Sequence, residues 1–158
     1  MQRKHSVVPY FLRLLVMLIA TLPFPPYAVA VTFEDMLSGF DKCQFEDVYV
    51  DIFSKKPVHA YFVERNLQPT DSNKDFAYFN VKENFYGLPV YKLMIPAGTF
   101  NIHAIFIDLS INRAREIVKG RFGTEYRPGE RSDSGDQPAL LTDPAHPNKS
   151  VLTCNPRE

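Results

Sequence analysis

Residues 76–107 read FAYFNVKENFYGLPVYKLMIPAGTFNIHAIFI, and the fold class rests on this stretch. Ala77, Phe79 and Val81 alternate with Tyr78, Asn80 and Lys82. A second apolar run, 90–95, follows Gly87. Phe100, Ile102, Ala104 and Phe106 then alternate with Asn101, His103, Ile105 and Ile107. A period of two marks extended chain whose side chains point alternately to two faces. Three such runs joined by short connections predict an antiparallel meander. In the second connection, Ile95-Pro96-Ala97-Gly98, the proline ring fixes φ and the glycine is expected to take a left-handed position.

After the meander the period changes. Ile111, Ala114, Ile117 and Val118 share one face of a helix expected over 110–119, the polar residues share the other, and Gly120 or Gly123 supplies the stop. An apolar helical stripe needs a sheet face to cover. The expected fold is therefore α+β: an antiparallel β-meander sheet with two or three short helices packed on one face. Residues 32–40 predict a further helix, with Thr32 as N-cap, Glu34 and Asp35 at its positive end, and Phe33, Met36, Leu37 and Phe40 on one side. Residues 47–53 predict a strand, with Val48, Val50 and Ile52 opposite Tyr49, Asp51 and Phe53. Residues 57–66 predict a helix opened by Pro57, although 58–63 also suits a strand. Ala139-Leu140-Leu141 and 150–154 are expected to close the fold as short strands. The polar stretch at 127–138 is expected to be an exposed loop.

The chain has 158 residues. Residues 1–30 begin with a basic stretch containing Arg3, Lys4 and Arg13, continue through nine apolar residues from Leu14 to Leu22, and end in Ala28-Val29-Ala30. That order is the layout of a cleaved secretory signal peptide, and nine residues rising about 1.5 Å each are too short to cross a bilayer core of about 30 Å. Residues 31–158 are then a single α+β domain. Taking the three basic residues of the leader from 18 leaves 15 against 18 acidic groups, so this domain is mildly negative. A negative surface gains nothing from counterion release on a phosphate backbone, so no nucleic-acid partner is expected, nor a stable membrane insertion after cleavage. In an oxidising compartment, the only two cysteines, Cys43 and Cys154, read as one disulfide. The expected location is the periplasm or outside the cell.

No phosphate loop, nucleophile elbow or compact metal motif occurs, and no cofactor is expected. Residues 71–75 start like a calcium loop but meet Phe76 where glycine is needed and Lys82 where a carboxylate is needed. Glu34, Asp35, Glu46, Asp47 and Asp51 offer carboxylates for glycoside cleavage only if two of them converge. Asn148-Lys149-Ser150 fits the acceptor pattern for an N-linked sugar. Tyr78, Tyr86, Tyr91 and Tyr126 exceed what one sheet face buries. With Arg127, Arg131, Asp133 and Asp136 of the adjoining loop they are candidate partner-binding residues. These features point to a non-catalytic binding protein, for example an inhibitor or immunity-type protein that neutralises another exported or envelope protein. Two alternatives stand beside it. One is a small periplasmic hydrolase using His59 or His103 with a carboxylate, Asp108 being placed near His103; the other is a small-molecule carrier with its pocket under the 110–119 helix.

Overall fold

The structure is a computed structural model that describes residues 30–129 and 137–155. Six strands form one antiparallel sheet: β1 (Asp71–Ser72), β2 (Phe76–Phe85), β3 (Leu88–Pro96), β4 (His103–Ile107), β5 (Ala139–Thr142) and β6 (Ser150–Cys154), in the order β1-β2-β3-β4-β6-β5. The predicted meander forms its centre. Among the described residues the α-helices are α1 (Phe33–Met36), α2 (Ala60–Glu64) and α3 (Ile111–Phe122), and a 3-10 turn spans Phe40–Lys42.

The registers put side chains into rows that cross the sheet. Phe79, Leu93, Ile105, Leu152 and Leu140 are successive cross-strand partners from β2 to β5, and each is almost fully buried. This row forms the core with Phe33 and Met36 of α1, Tyr61 and Phe62 of α2, and Ala114 and Val118 of α3. The helices thus cover one sheet face. Two parallel rows occupy the other face: Asn80, Lys92, Phe106, Val151 and Leu141, and beside them Tyr78, Met94, Ala104, Thr153 and Ala139.

Local chemistry explains the ends of these elements. Thr32 accepts from the Asp35 amide and Asp35 from the Thr32 amide, a reciprocal cap that starts α1. The β2–β3 hairpin turns on Tyr86 and Gly87 alone, both at positive φ, the two-residue geometry that matches strand twist. The Glu34 carboxylate accepts from the Tyr86 amide at 2.8 Å and fixes α1 to that turn. Helix α3 runs to Phe122, three residues further than expected, and Gly123 at φ +74° stops it. Cys43 and Cys154 are disulfide-bonded across 111 residues, with their Cα atoms 5.2 Å apart, joining the 3-10 turn to the last strand.

Four local expectations are corrected. Residues 47–53 are not a strand: Asp47 lies at φ +59°, and the Asp51 carboxylate accepts from the Phe53 and Ser54 amides, folding the chain into a turn. The 57–66 helix is only Ala60–Glu64. Pro57 pairs with Val50 in an isolated bridge, and His59 caps the helix by accepting from the Tyr61 amide. Gly98 is not left-handed; it is glycine because a Cβ there would run into the Lys74 carbonyl. His103 and Asp108 do not meet, since β4 separates them. Among the described residues, no helix is long and apolar enough to cross a membrane. The leader at 1–30 falls almost wholly outside the described residues.

Candidate binding cleft

Residues 49–58 form a small hairpin. The Asp51 amide donates to the Lys56 carbonyl and the Val58 amide to the Tyr49 carbonyl, leaving Ile52 to Lys55 at the tip. The Val50 amide reaches the Pro96 carbonyl at 2.8 Å, which fastens this hairpin to the end of β3. A gap remains between the hairpin and the 96–103 connection. It is a cleft of about 350 Å³ lined by Phe45, Val48, Val50, Ile52, Phe100 and His103, among others.

The rim of this cleft is unusually apolar for exposed surface. Tyr49 (41%), Ile52 (49%) and Phe100 (53%) line the cleft and stand out to solvent, and Phe53 (87%) follows Ile52 at the hairpin tip. Only Val63 and Leu141 complete the set of exposed large hydrophobics among the described residues, so most of the exposed apolar side-chain surface gathers here. Phe100 is held by stacking on Phe76, whereas Phe53 projects from a turn.

His103 stands in the cleft wall and is 2% exposed. Its Nε2 lies 2.7 Å from the Val48 carbonyl and its ring stacks on Phe45 with centroids 3.8 Å apart. Burial pulls its pKa down to about 4 against the opposing pull of the Val48 bond, so the ring is neutral near pH 7. A carbonyl only accepts, so the proton is on Nε2 and Nδ1 is left as an acceptor, buried and without a partner.

The other predicted residues are scattered. Tyr78 and Tyr91 lie on the helix-free face, where the Lys92 ammonium sits 5.8 Å and 5.9 Å from their ring centroids and 4.0 Å from that of Phe106. Tyr86 is in the hairpin turn with the Arg121 guanidinium 4.3 Å over its ring. Tyr126 is 3% exposed and packs on Phe122, so it offers no contact surface, and burial raises its pKa to about 12. Arg127 pairs with Glu125 at 2.7 Å; Arg131, Asp133 and Asp136 lie outside the described residues. His59 spends Nδ1 on its helix cap, and burial lowers its pKa against the pull of Asp47, Glu46 and Glu64. Among the described residues, neither His59 nor His103 has a hydrogen-bonded carboxylate.

The histidine that does meet a carboxylate is one that pattern reading passed over. Asp143 is 1% exposed; its Oδ2 accepts from the Tyr91 hydroxyl at 2.5 Å and lies 3.1 Å from His146 Nδ1. Burial pushes this carboxyl up, but the bonds from Tyr91, the Ala145 amide and His146 outweigh it and hold the pKa below the usual value. The Asp-x-x-His spacing at 143–146 was the available signal. For the cleft, the signal was an Ile-Phe pair set between Asp51 and Ser54-Lys55-Lys56, an apolar dipeptide at a turn tip. Among the described residues, no three His, Cys, Asp or Glu side chains gather in a way that would hold a metal ion. Comparison with protein-family models, with curated proteins and with solved structures finds no match.

Proposed function

We propose that this chain is exported and acts, without catalysing a reaction, by holding another exported or envelope protein at the 49–58 and 96–103 cleft, in the manner of an inhibitor or immunity-type protein. The observation that carries this reading is the convergence of the exposed Tyr49, Ile52 and Phe100 on one cleft, with the exposed Phe53 next to Ile52 at the hairpin tip. Exposed apolar surface costs about 25 cal/mol per Å² in water, and a soluble domain that concentrates it around a concavity has a use for it. Aromatic anchors beside a pocket are also the usual centre of a protein interface. The Cys43–Cys154 bridge supports an oxidising compartment, and the leader supplies the route to one.

The test compares the full chain with the Phe53→Ser/Phe100→Ser double variant, both expressed in an exporting host and used as bait in a cell-envelope extract. A protein retained by the wild type and at least tenfold less by the variant supports the reading; equal retention by both overturns the cleft as the interface. Retention of a small molecule alone, seen by native mass spectrometry, moves the assignment to the carrier. N-terminal sequencing of the recovered product checks export, with Val31 as the expected first residue.

A further inference from the structure

We infer that the cleft receives an arginine side chain of the partner, its guanidinium drawn to the Asp51 carboxylate and lying against the rings of Tyr49 and Phe100. The inference rests on the cleft being the interface and specifies what enters it. Among the described residues that line the cleft, Asp51 is the one that carries a charge, since His103 is neutral near pH 7. No lysine or arginine among the described residues lies within ion-pair distance of Asp51, and Lys55 acts on it only from further away. Its Oδ1 accepts from the Phe53 and Ser54 amides, which fixes the carboxylate on the hairpin and leaves Oδ2 without a partner among the described residues. Tyr49 and Asp51 flank Val50 where it bridges to Pro57 and the chain is extended, so their side chains leave the hairpin on the same face.

The negative sign extends beyond the cleft. Glu46, Asp47 and Glu64 all act on His59, which follows the hairpin directly, and none of the three joins an ion pair among the described residues. The domain as a whole carries 15 basic against 18 acidic groups. Such a field draws a cation in and turns an anion away. The rest of the lining then chooses among cations. An ammonium is a compact charge that holds its water, whereas a guanidinium is flat, weakly hydrated and stacks on aromatic rings. Tyr49 and Phe100 offer exposed rings, Ile52 offers a surface for the aliphatic stem, and Thr99 and Asn101 offer oxygens for the donors that Asp51 does not take. A purely apolar occupant strips water from Asp51 and returns no bond. A volume of about 350 Å³ suits one long side chain and not a folded element.

The experiment titrates the ¹⁵N-labelled full chain with the N-acetyl amides of arginine, lysine and citrulline, the last having the shape of arginine without its charge. The arginine probe should shift the amides of Val50, Asp51, Phe100 and Asn101. It should bind about fivefold more tightly than the citrulline probe and about twofold more tightly than the lysine probe, and the first ratio should shrink as salt is added. Asp51→Asn keeps an oxygen for the Phe53 and Ser54 amides, so the turn stands, and in this variant the arginine and citrulline probes should bind equally. Equal binding of those two to the wild type, or no shift with any probe, overturns the arginine. Lysine binding as tightly as arginine overturns the guanidinium in favour of any cation. The Asp51→Asn chain then serves as bait in the cell-envelope extract. A protein retained about fivefold less by Asp51→Asn than by the wild type assigns the arginine to a protein partner. A protein that Phe53→Ser/Phe100→Ser releases and Asp51→Asn retains in full overturns the arginine and leaves the cleft as the interface. Binding of the arginine probe with no protein retained by the wild type overturns the partner's side chain in favour of a small cationic molecule.

Discussion

Lowering the pH from 7.5 to 4.5 should destabilise the fold through His103, by an amount that follows from its surroundings. In the unfolded chain the imidazole titrates near 6.5, whereas in the fold burial holds it at about 4. Above pH 6.5 the ring is neutral in both states and contributes no pH dependence. Between 6.5 and 4 the unfolded chain takes up a proton that the fold refuses, so stability falls as pH falls; below 4 both states are protonated and the loss levels off. Each unit of difference corresponds to about 1.36 kcal/mol, which gives a loss of about 2.5 kcal/mol at pH 4.5. Depressed carboxyls such as Glu125, held at about 2 by Lys119 and Arg127, lose their contribution mainly at lower pH. The assay is urea unfolding at half-unit pH steps for the wild type, His103→Leu and His59→Asn. The leucine variant should shed about 2.5 kcal/mol of the acid-side decline, whatever its offset at pH 7.5, while the asparagine variant, which keeps a helix cap, should retain most of it. An unchanged decline in His103→Leu refutes the reasoning. So does an NMR titration midpoint for His103 near 6 in the wild type, a measurement that needs no variant.

Replacing both Cys43 and Cys154 by serine releases a 111-residue loop and should cost about 4 to 5 kcal/mol in urea unfolding by the chain-entropy model. A cost under about 1 kcal/mol would mean that the bridge does not restrain the unfolded chain as that account requires. Gly98→Ala and Gly120→Ala should move stability in opposite directions. The first forces a methyl group into the Lys74 carbonyl and should cost about 2 kcal/mol, while the second adds a methyl to an open helical position and should gain about 0.5 to 1 kcal/mol. Thermal unfolding of the two variants side by side checks both, and a neutral Gly98→Ala would show that the 74–75 turn yields.

Regular periodicity made the sheet and the long helix legible. The alternation from Ala77 to Ile107 specifies the meander because each strand has one face in the core, and a slip of one residue would turn Phe79, Leu93 and Ile105 out to solvent. The same logic fails at 47–53. Val48 and Val50 are buried as the alternation implies, yet Ile52 is 49% exposed, because the Asp51 side chain offers the Phe53 and Ser54 amides a local partner and bends the chain out of the strand. An alternating pattern reports which side chains are buried, not whether the backbone is paired. Tyr126 departs from its expected exposed position for a related reason. Composition shows an excess of aromatics but not where each one goes, and Tyr126 reaches the core only because its backbone adopts φ +49° ahead of the loop.

The irregular segment is also where the candidate site lies, and the two facts share a cause. Residues 43–58 contain three of the six non-glycine residues with positive φ among the described residues, at Cys43, Asp47 and Lys55, so local preference does not hold this segment in place. Long-range contacts do: the bridge from Cys43 to Cys154, the Val50 amide to Pro96, and His103 to the Val48 carbonyl. Two of these anchors lie side by side, since His103 and Cys154 are cross-strand partners on β4 and β6. The sheet thus supplies a rigid floor, the disulfide and the histidine pin a strained strap across it, and the space under the strap is the cleft. A strap anchored at Cys43, Val48 and Val50 can present Ile52 and Phe53 to solvent at its tip without disturbing the core, which a regular strand buried on one face could not do. The arrangement separates the residues that make the fold stable from those left exposed at the cleft, and the Cys43–Cys154 bridge ties the start of the strap to the last strand.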